Sequence, residues 1–138
     1  MIIQAPASSA NLGPGFDSIG IAVSLYLKLE VLGPSDNWQV DHQLGKLPHD
    51  ETNMIVTTAL SVAPDLPPQH LQVVSEIPIA HGLGSSSSAI GAGIELANQL
   101  KNLNLSKEEK VEIASQIDGY PDNVAPTILG GLVVGTPL

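Results

Sequence analysis

The chain contains no cysteine and no arginine, and only five lysines stand against 14 acidic residues in its 138 positions. Without cysteine there is no disulfide and no thiolate metal site, which agrees with a cytoplasmic setting. A formal net charge of −9 argues against nucleic-acid and anionic-membrane binding, both of which depend on Lys and Arg. Any polyphosphate would have to be held mainly by backbone dipoles and a metal ion. Aromatics are scarce, with one Trp, two Tyr and one Phe, so a core has to be built from Val, Ile, Leu and Ala. No apolar run approaches the ~20 residues of a membrane span. The N-terminus lacks the basic region and long apolar segment of a signal peptide. There is no internal repeat and no low-complexity tail. What remains is an ordinary apolar content in a chain long enough for one domain with a real core.

The stretch with most chemistry in it is residues 77–89, IPIAHGLGSSSSA. Two glycines and four consecutive hydroxyls run into small and apolar residues that read as a helix. A helix start leaves several backbone N–H groups without intrahelical partners, and with the helix dipole these suit an anionic phosphate. Gly82 and Gly84 would let the backbone approach a ligand, and a serine oxygen could reach a phosphate-bound Mg²⁺. The plain alternative is a serine-rich loop whose last serine caps a helix. The stretch is neither a Walker A loop, since Gly-Lys-[Ser/Thr] is missing, nor the G-x-G-x-x-G fingerprint, since Ser87 stands at the third glycine.

Elsewhere the pattern alternates between sheet and helix. Residues 1–5 read as a strand, and residues 6–17 (PASSANLGPGFD) as a long polar loop. Residues 20–32 alternate with Ile21, Val23, Leu25, Leu27, Leu29 and Val31 on one parity, a half-buried antiparallel strand with Lys28 and Glu30 on its wet face. After a turn at 33–37, residues 38–43 read as a returning strand. Thr52 is placed to cap a helix over 53–63 with Met54, Ile55, Thr58, Ala59 and Val62 inward. Residues 70–75 form a short strand leading into the glycine-serine loop.

The helix over 86–100 should be the most buried one. Gly91 and Gly93 inside it each cost up to about 1 kcal/mol relative to Ala, which close packing of another backbone would explain. Ser106 and Glu109 spell a capping box for a helix to residue 117. In that helix Val111, Ile113, Ala114 and Ile117 are expected inward, and Glu108, Glu109, Lys110 and Gln116 outward. Residues 130–135 read as a last strand. The expected fold is α+β, a mostly antiparallel sheet with helices on one face.

Three stretches together carry a resemblance. Residues 6–17 resemble the first motif of the GHMP kinases in the form typical of the homoserine kinases. Residues 78–89 resemble that superfamily's phosphate loop of the P-x-x-x-G-L-G-S-S type. Residues 121–126 (PDNVAP), followed by Gly130 and Gly131, look like the homoserine kinase segment after the second helix of the pattern. The resemblance implies a fold like ribosomal protein S5 domain 2. It also implies transfer of the γ-phosphoryl group of ATP to the side-chain hydroxyl of L-homoserine, in threonine biosynthesis.

Family roles carry over by position. Pro78, His81, Gly82, Leu83, Gly84, Ser85, Ser86, Ser87 and Ser88 would surround the nucleotide, with Asn53 near the adenine. Ser86 and Glu112 would bind Mg²⁺, Glu112 because it stands eight residues before Tyr120. Asn11, Asp17, Asp122 and Asn123 would hold homoserine, with Asp17 a positioner rather than a general base. The plain alternatives are Asx turns for the loop residues, a helix-start role for Asn53 and an exposed helix carboxylate for Glu112.

Three positions depart from the pattern: Tyr120 where histidine is common, Asp118 where glutamate is, and His81 where arginine is. The resemblance further implies that residues 1–138 are the N-terminal, ATP-binding domain, that a C-terminal GHMP domain is absent from the chain, and that the full-length protein is a homodimer. On that expectation the chain alone is inactive. Two other functions stay open: another GHMP small-molecule kinase, or a non-catalytic nucleotide-binding or dimerisation module.

Overall fold

Period-two burial builds the sheet. In the computed structural model, which describes residues 1–6, 26–76, 86–118, 128 and 132–135, Leu27 and Leu29 are buried while Lys28 between them is exposed. They belong to β2 (Tyr26–Pro34), the central strand. Strand β1 (Ile2–Pro6) lies antiparallel on one side of it, with Ile3 opposite Leu29. A strand over Gln69–Ser75 (β4) lies antiparallel on the other side, with Val73 opposite Leu29. The edges are β3 (Gln39–Asp41), parallel to β4, and β5 (Val133–Gly135), antiparallel to β1. The five-stranded order is β3-β4-β2-β1-β5. Three of the four pairings are antiparallel, as the alternation predicts.

The returning strand differs from expectation. It is shorter, and it pairs in parallel with β4 rather than folding back on β2. The edge of β2 that a hairpin would use is taken by β4. The β2–β4 ladder shifts register between Val31 and Gly33, with Gly33 at φ 146°, and continues to Pro34 opposite Gln69 before the chain turns away. Trp38 and Val40 then anchor the edge in the core.

The helices are α1 (Met54–Val62), α2 (Ser86–Leu100) and α3 (Lys107–Asp118). Asn53, not Thr52, caps α1: its Oδ1 accepts from the Ile55 N–H at 3.0 Å. Thr52 instead donates its N–H to Asp50 Oδ1. Ile55, Thr58 and Ala59 face in, joined by Val56, whereas Met54 is 46 % exposed. At the first helical position a side chain leans back past the helix end, away from the layer below.

Helix α2 is buried at every residue from 87 to 98. Its Gly93 meets α1: a Cβ there would lie 2.5 Å from the Ile55 carbonyl oxygen and 2.7 Å from Thr58 Cβ. The reciprocal capping box of α3 forms as expected, Glu109 N–H to Ser106 Oγ and Ser106 N–H to Glu109 Oε1, each at 3.1 Å. Ala114 is buried and Ile117 exposed, and Lys110, expected outward, turns inward to Glu95 on α2.

One apolar cluster lies between the sheet and α1–α2, from Ile3, Leu29 and Leu71 to Val56, Ala59 and Leu96. A second, around Ile90, Ile94, Ala114 and Ile128, joins α2 to α3. The opposite sheet face carries exposed Lys28, Gln72 and Val74 and half-buried Gln4 and Tyr26, and no described helix covers it.

Candidate functional site

The strand registers set the ends of three chain segments at one end of the sheet. Pro6, the last residue of β1, stands opposite Tyr26, the first of β2, and Ser75, the last of β4, stands opposite Leu27. Strand β5 enters at Val133, opposite Gln4 of β1. Residues 7–25, 77–85 and 129–131 therefore all join the sheet at that end, and all lie outside the described residues. The same is true of residues 119–127. Asn11, Asp17, Pro78, His81, Gly82, Leu83, Gly84, Ser85, Asp122 and Asn123 thus lie outside the described residues.

Helix α2 starts at this end. Ser88, fully buried, donates its hydroxyl to the Pro6 carbonyl at 2.9 Å. The bond fastens the first turn of α2 to the residue from which the 7–25 segment departs. Ser87 is 1 % exposed, and its Oγ has no hydrogen-bond partner among the described residues. A buried, unpartnered hydroxyl beside the helix-start N–H groups, which have no intrahelical acceptor, is a donor suited to an anion. Ser86 begins the helix.

Asn53 is 93 % buried at the start of α1, and both ends of its amide are engaged, Nδ2 donating to the Pro48 carbonyl at 2.9 Å and Oδ1 capping the helix. The loop before it is pinned by His42, whose Nδ1 accepts from the Leu44 N–H and whose Nε2–H points at the carbonyls of Leu47 and Pro48. The His49 ring stacks on His42 at 3.9 Å. A groove of about 520 Å³ runs between this loop and β4, lined by Asp41, His42, Leu44, Val73 and Ser75 among others. It reaches Val74 and Ser75, the last two residues of β4. His70 of β4 lies 2.6 Å from Asp41 and holds the Asp41 carboxyl below its usual range.

Glu112 is exposed on α3. The contact of Lys110 with Glu95 sets the levels of the two helices. Ser86 lies nine residues before Glu95, and Glu112 two residues beyond Lys110 on a helix running the opposite way. At about 1.5 Å per residue, Glu112 is roughly 10 Å along the axis from Ser86, whereas Asp118, the last residue of α3, is about level with it. Among the described residues no group of three or more His, Asp or Glu is gathered as a preformed metal site.

Glu95 is the buried charge of the molecule's described part. It is 2 % exposed, with Gln99 Nε2 at 2.7 Å and Asn98 Nδ2 at 3.2 Å from Oε1. The Lys110 ammonium lies 2.6 Å from Oε2 as an ion pair rather than an aligned hydrogen bond. Burial pushes the carboxyl pKa up, but Lys110, Gln99 and Asn98 together outweigh it and hold it below its usual 4.5. A carboxylate with a lowered folded pKa contributes stability above its unfolded pKa and loses it as pH falls through the folded value. The melting temperature should therefore drop as pH falls below about 4.5, and Glu95→Gln should flatten that part of the profile. A melt series across pH 3–7 with and without the substitution, reading a few °C per kcal/mol, checks this. Parallel curves would refute it.

Residues 53–131 match the family model described as the GHMP kinases N terminal domain. The chain belongs to the GHMP kinases. Within that family it is 71 % identical over 136 residues to a homoserine kinase of Limosilactobacillus fermentum, covering 99 % of this chain and 48 % of that one. It is 60 % identical over 139 residues to a homoserine kinase of Listeria welshimeri, covering 100 % and 48 %. A solved structure assigned as a homoserine kinase of Listeria monocytogenes superposes with a TM-score of 0.81 at 54 % identity, over 99 % of this chain and 50 % of that one. The chain spans about half the length of the curated relatives it matches. No helix among the described residues is long and apolar enough to cross a membrane.

Proposed function

We propose that the protein to which this chain belongs is an ATP-dependent homoserine kinase, and that this chain is its N-terminal, nucleotide-binding domain. The observation that supports the reading is the bond from Ser88, in the first turn of a buried α2, to Pro6, the last described residue before the 7–25 segment, which ties the start of α2 to the end of β1. The triphosphate is held by main-chain N–H groups from residue 82 to 88 and by the hydroxyls of Ser85, Ser86 and Ser87. The Ser88 hydroxyl is already given to Pro6, so Ser88 contributes its N–H. The purine occupies the groove beside Asp41, His42 and Leu44, whose size is typical of a nucleotide or drug-sized ligand. Asn53 shapes that groove by fixing the start of α1. Pro78, His81, Leu83 and Gly84 belong to the same loop.

The oxygens on offer, serine hydroxyl and helix carboxylate, are the hard donors that Mg²⁺ selects, and the unpartnered Ser87 hydroxyl marks where the anion lies. Ser86 is one ligand. The carboxylate is Glu112 by spacing from Tyr120, or Asp118 by its level with Ser86. Mg²⁺ supplies charge neutralisation on the β- and γ-phosphates, and this chain supplies positioning. Glu112→Gln and Asp118→Asn are expected to differ. The one that removes the ligand raises the Mg²⁺ needed for half-maximal ATP binding by about 10–100-fold, measured by titration calorimetry. No change in either would remove α3 from the metal site.

Asn11, Asp17, Asp122 and Asn123 hold homoserine, with Asp17 accepting from its ammonium or hydroxyl. A coupled ADP-release assay on the full-length protein with homoserine, mevalonate and galactose tests the acceptor. Homoserine should be preferred by orders of magnitude, and preference for either other acceptor would overturn the reading. The reading also carries a cytoplasmic, homodimeric enzyme of threonine biosynthesis.

A further inference from the structure

Residues 42–48 (HQLGKLP) are tied together by the side chain of His42. Their composition explains why they need a tie. The segment packs one apolar side chain, Leu44, against the core, while Gly45, Lys46 and Leu47 are exposed. With so little burial, such a segment keeps its shape by hydrogen bonds. Its ends are brought together by the main chain, the Val40 N–H donating to the His49 carbonyl at 2.9 Å. Gly45, at φ 74°, takes the left-handed turn between them. The result is a short closed loop of the Ω kind, a class often used in function.

The imidazole bonds three points of that loop. Nδ1 accepts from the Leu44 N–H at 3.0 Å, and Nε2 lies 3.0 Å from the Leu47 carbonyl and 3.1 Å from the Pro48 carbonyl. A main-chain N–H only donates and a carbonyl only accepts, so the ring is the neutral tautomer with its hydrogen on Nε2. The His49 ring lies nearly parallel to it, at 10°. The Pro48 carbonyl also accepts from Asn53 Nδ2 at 2.9 Å, and Asn53 caps α1. One carbonyl thus joins the loop to the first turn of α1. The β4 side of the groove needs no such tie, since Val73 and Val74 stand in the ladder opposite Leu29 and Lys28.

We infer that His42 is a positioning residue for the nucleotide base. Resting on the reading that places the purine in this groove, it holds the loop wall against β4 and in register with α1. Both ring nitrogens are committed to the loop, so the imidazole keeps no polar atom for a ligand and acts through the wall. Without its bonds the wall takes other shapes, and apparent affinity falls by the fraction of time the wall is in place.

The test uses the full-length protein with His42→Phe and His42→Asn. Phenylalanine keeps a flat ring beside His49 and removes every hydrogen bond. Asparagine keeps an acceptor for the Leu44 N–H, as in an Asx turn, but is too short for the carbonyls. It is the milder variant and serves if His42→Phe does not fold. Two probes are titrated calorimetrically with Mg²⁺: a non-hydrolysable ATP analogue, and inorganic tripolyphosphate, which carries the phosphates without the base. His42→Phe should weaken analogue binding on the order of tenfold, as for a wall in place about a tenth of the time, and His42→Asn by less. Tripolyphosphate affinity should change less than about twofold in either variant, because the phosphate site shares none of these bonds.

Equal weakening of both probes would overturn the inference, since general loss of structure spares neither. Unchanged analogue affinity in a folded His42→Phe, or in His42→Asn where that one alone folds, would overturn it too. The unsubstituted protein tests the groove reading separately. If it binds the analogue no more tightly than tripolyphosphate, the base adds nothing, and the placement of the purine falls together with the role of His42. If it prefers the analogue and the variants keep that preference, only the role of His42 falls.

Discussion

Gly93→Ala is expected to lower the melting temperature, although the same substitution in an ordinary helix raises it. Alanine gains up to about 1 kcal/mol of helix propensity over glycine. At this position its Cβ would stand 2.5 Å from the Ile55 carbonyl oxygen and 2.7 Å from Thr58 Cβ. Neither contact is the far end of a flexible chain. One is backbone in the first turn of α1, and the other is the Cβ of Thr58, which no change of rotamer can move. Overpacking of this sort costs about 1–3 kcal/mol, and contacts this close to unyielding atoms lie in its upper part, so clash exceeds propensity and a net loss of up to about 2 kcal/mol is expected. That corresponds to several degrees of melting temperature in a domain of this size.

The strain has a direction. Ile55 follows the Asn53 cap, so moving α1 outward disturbs the loop that lines the groove beside His42. The substitution should therefore also weaken nucleotide binding. A melting temperature that stays level or rises would mean that α1 can retreat by a few tenths of an ångström without cost, and that Gly93 is not what brings the helices together.

Gly93 also illustrates what can be read before any fold is known. A glycine inside an otherwise apolar helix is a local anomaly with few explanations, and close backbone approach is the common one. The bounds of α2 and the capping box at Ser106 and Glu109 were legible for the same reason, since caps and periodicity are written within a few residues of each other. What escaped depended on partners distant in sequence. Lys110 looks like a solvated lysine in its own helix, and only the buried Glu95 fifteen residues earlier draws it inward. Strand β3 reads as the return of a hairpin until β4, some 30 residues later, takes the edge of β2 first. Thr52 and Asn53 are both good caps. The choice went to the residue whose amide could also reach the Pro48 carbonyl. The segments that carry the family motifs could be read for identity because their residues are unusual, but the level of Asp118 beside Ser86 becomes visible only once α2 and α3 are joined by the Glu95–Lys110 pair.

Ser87→Ala is expected to separate stability from function. The Ser87 side chain is buried and its hydroxyl has no partner among the described residues, which costs on the order of 1–3 kcal/mol of lost solvation. Removing the oxygen should leave stability unchanged or raise it by about 1 kcal/mol. If the orphan donor is kept for a phosphate oxygen, the same change removes a hydrogen bond to a charged acceptor, worth about 1.5–3 kcal/mol. At about 1.4 kcal/mol per tenfold, the affinity for ATP with Mg²⁺ should fall roughly 10–100-fold.

Ser88→Ala, one position on, should behave in the opposite way. It strips the Pro6 carbonyl of its 2.9 Å partner in a fully buried place and should cost about 1–3 kcal/mol of stability. Its effect on nucleotide affinity should be the smaller of the two, because the Ser88 N–H remains. Melting curves and calorimetric titration of both variants decide the matter. If Ser87→Ala melts lower and binds ATP as before, the hydroxyl is structural, and the start of α2 has to hold its anion with main-chain N–H groups alone.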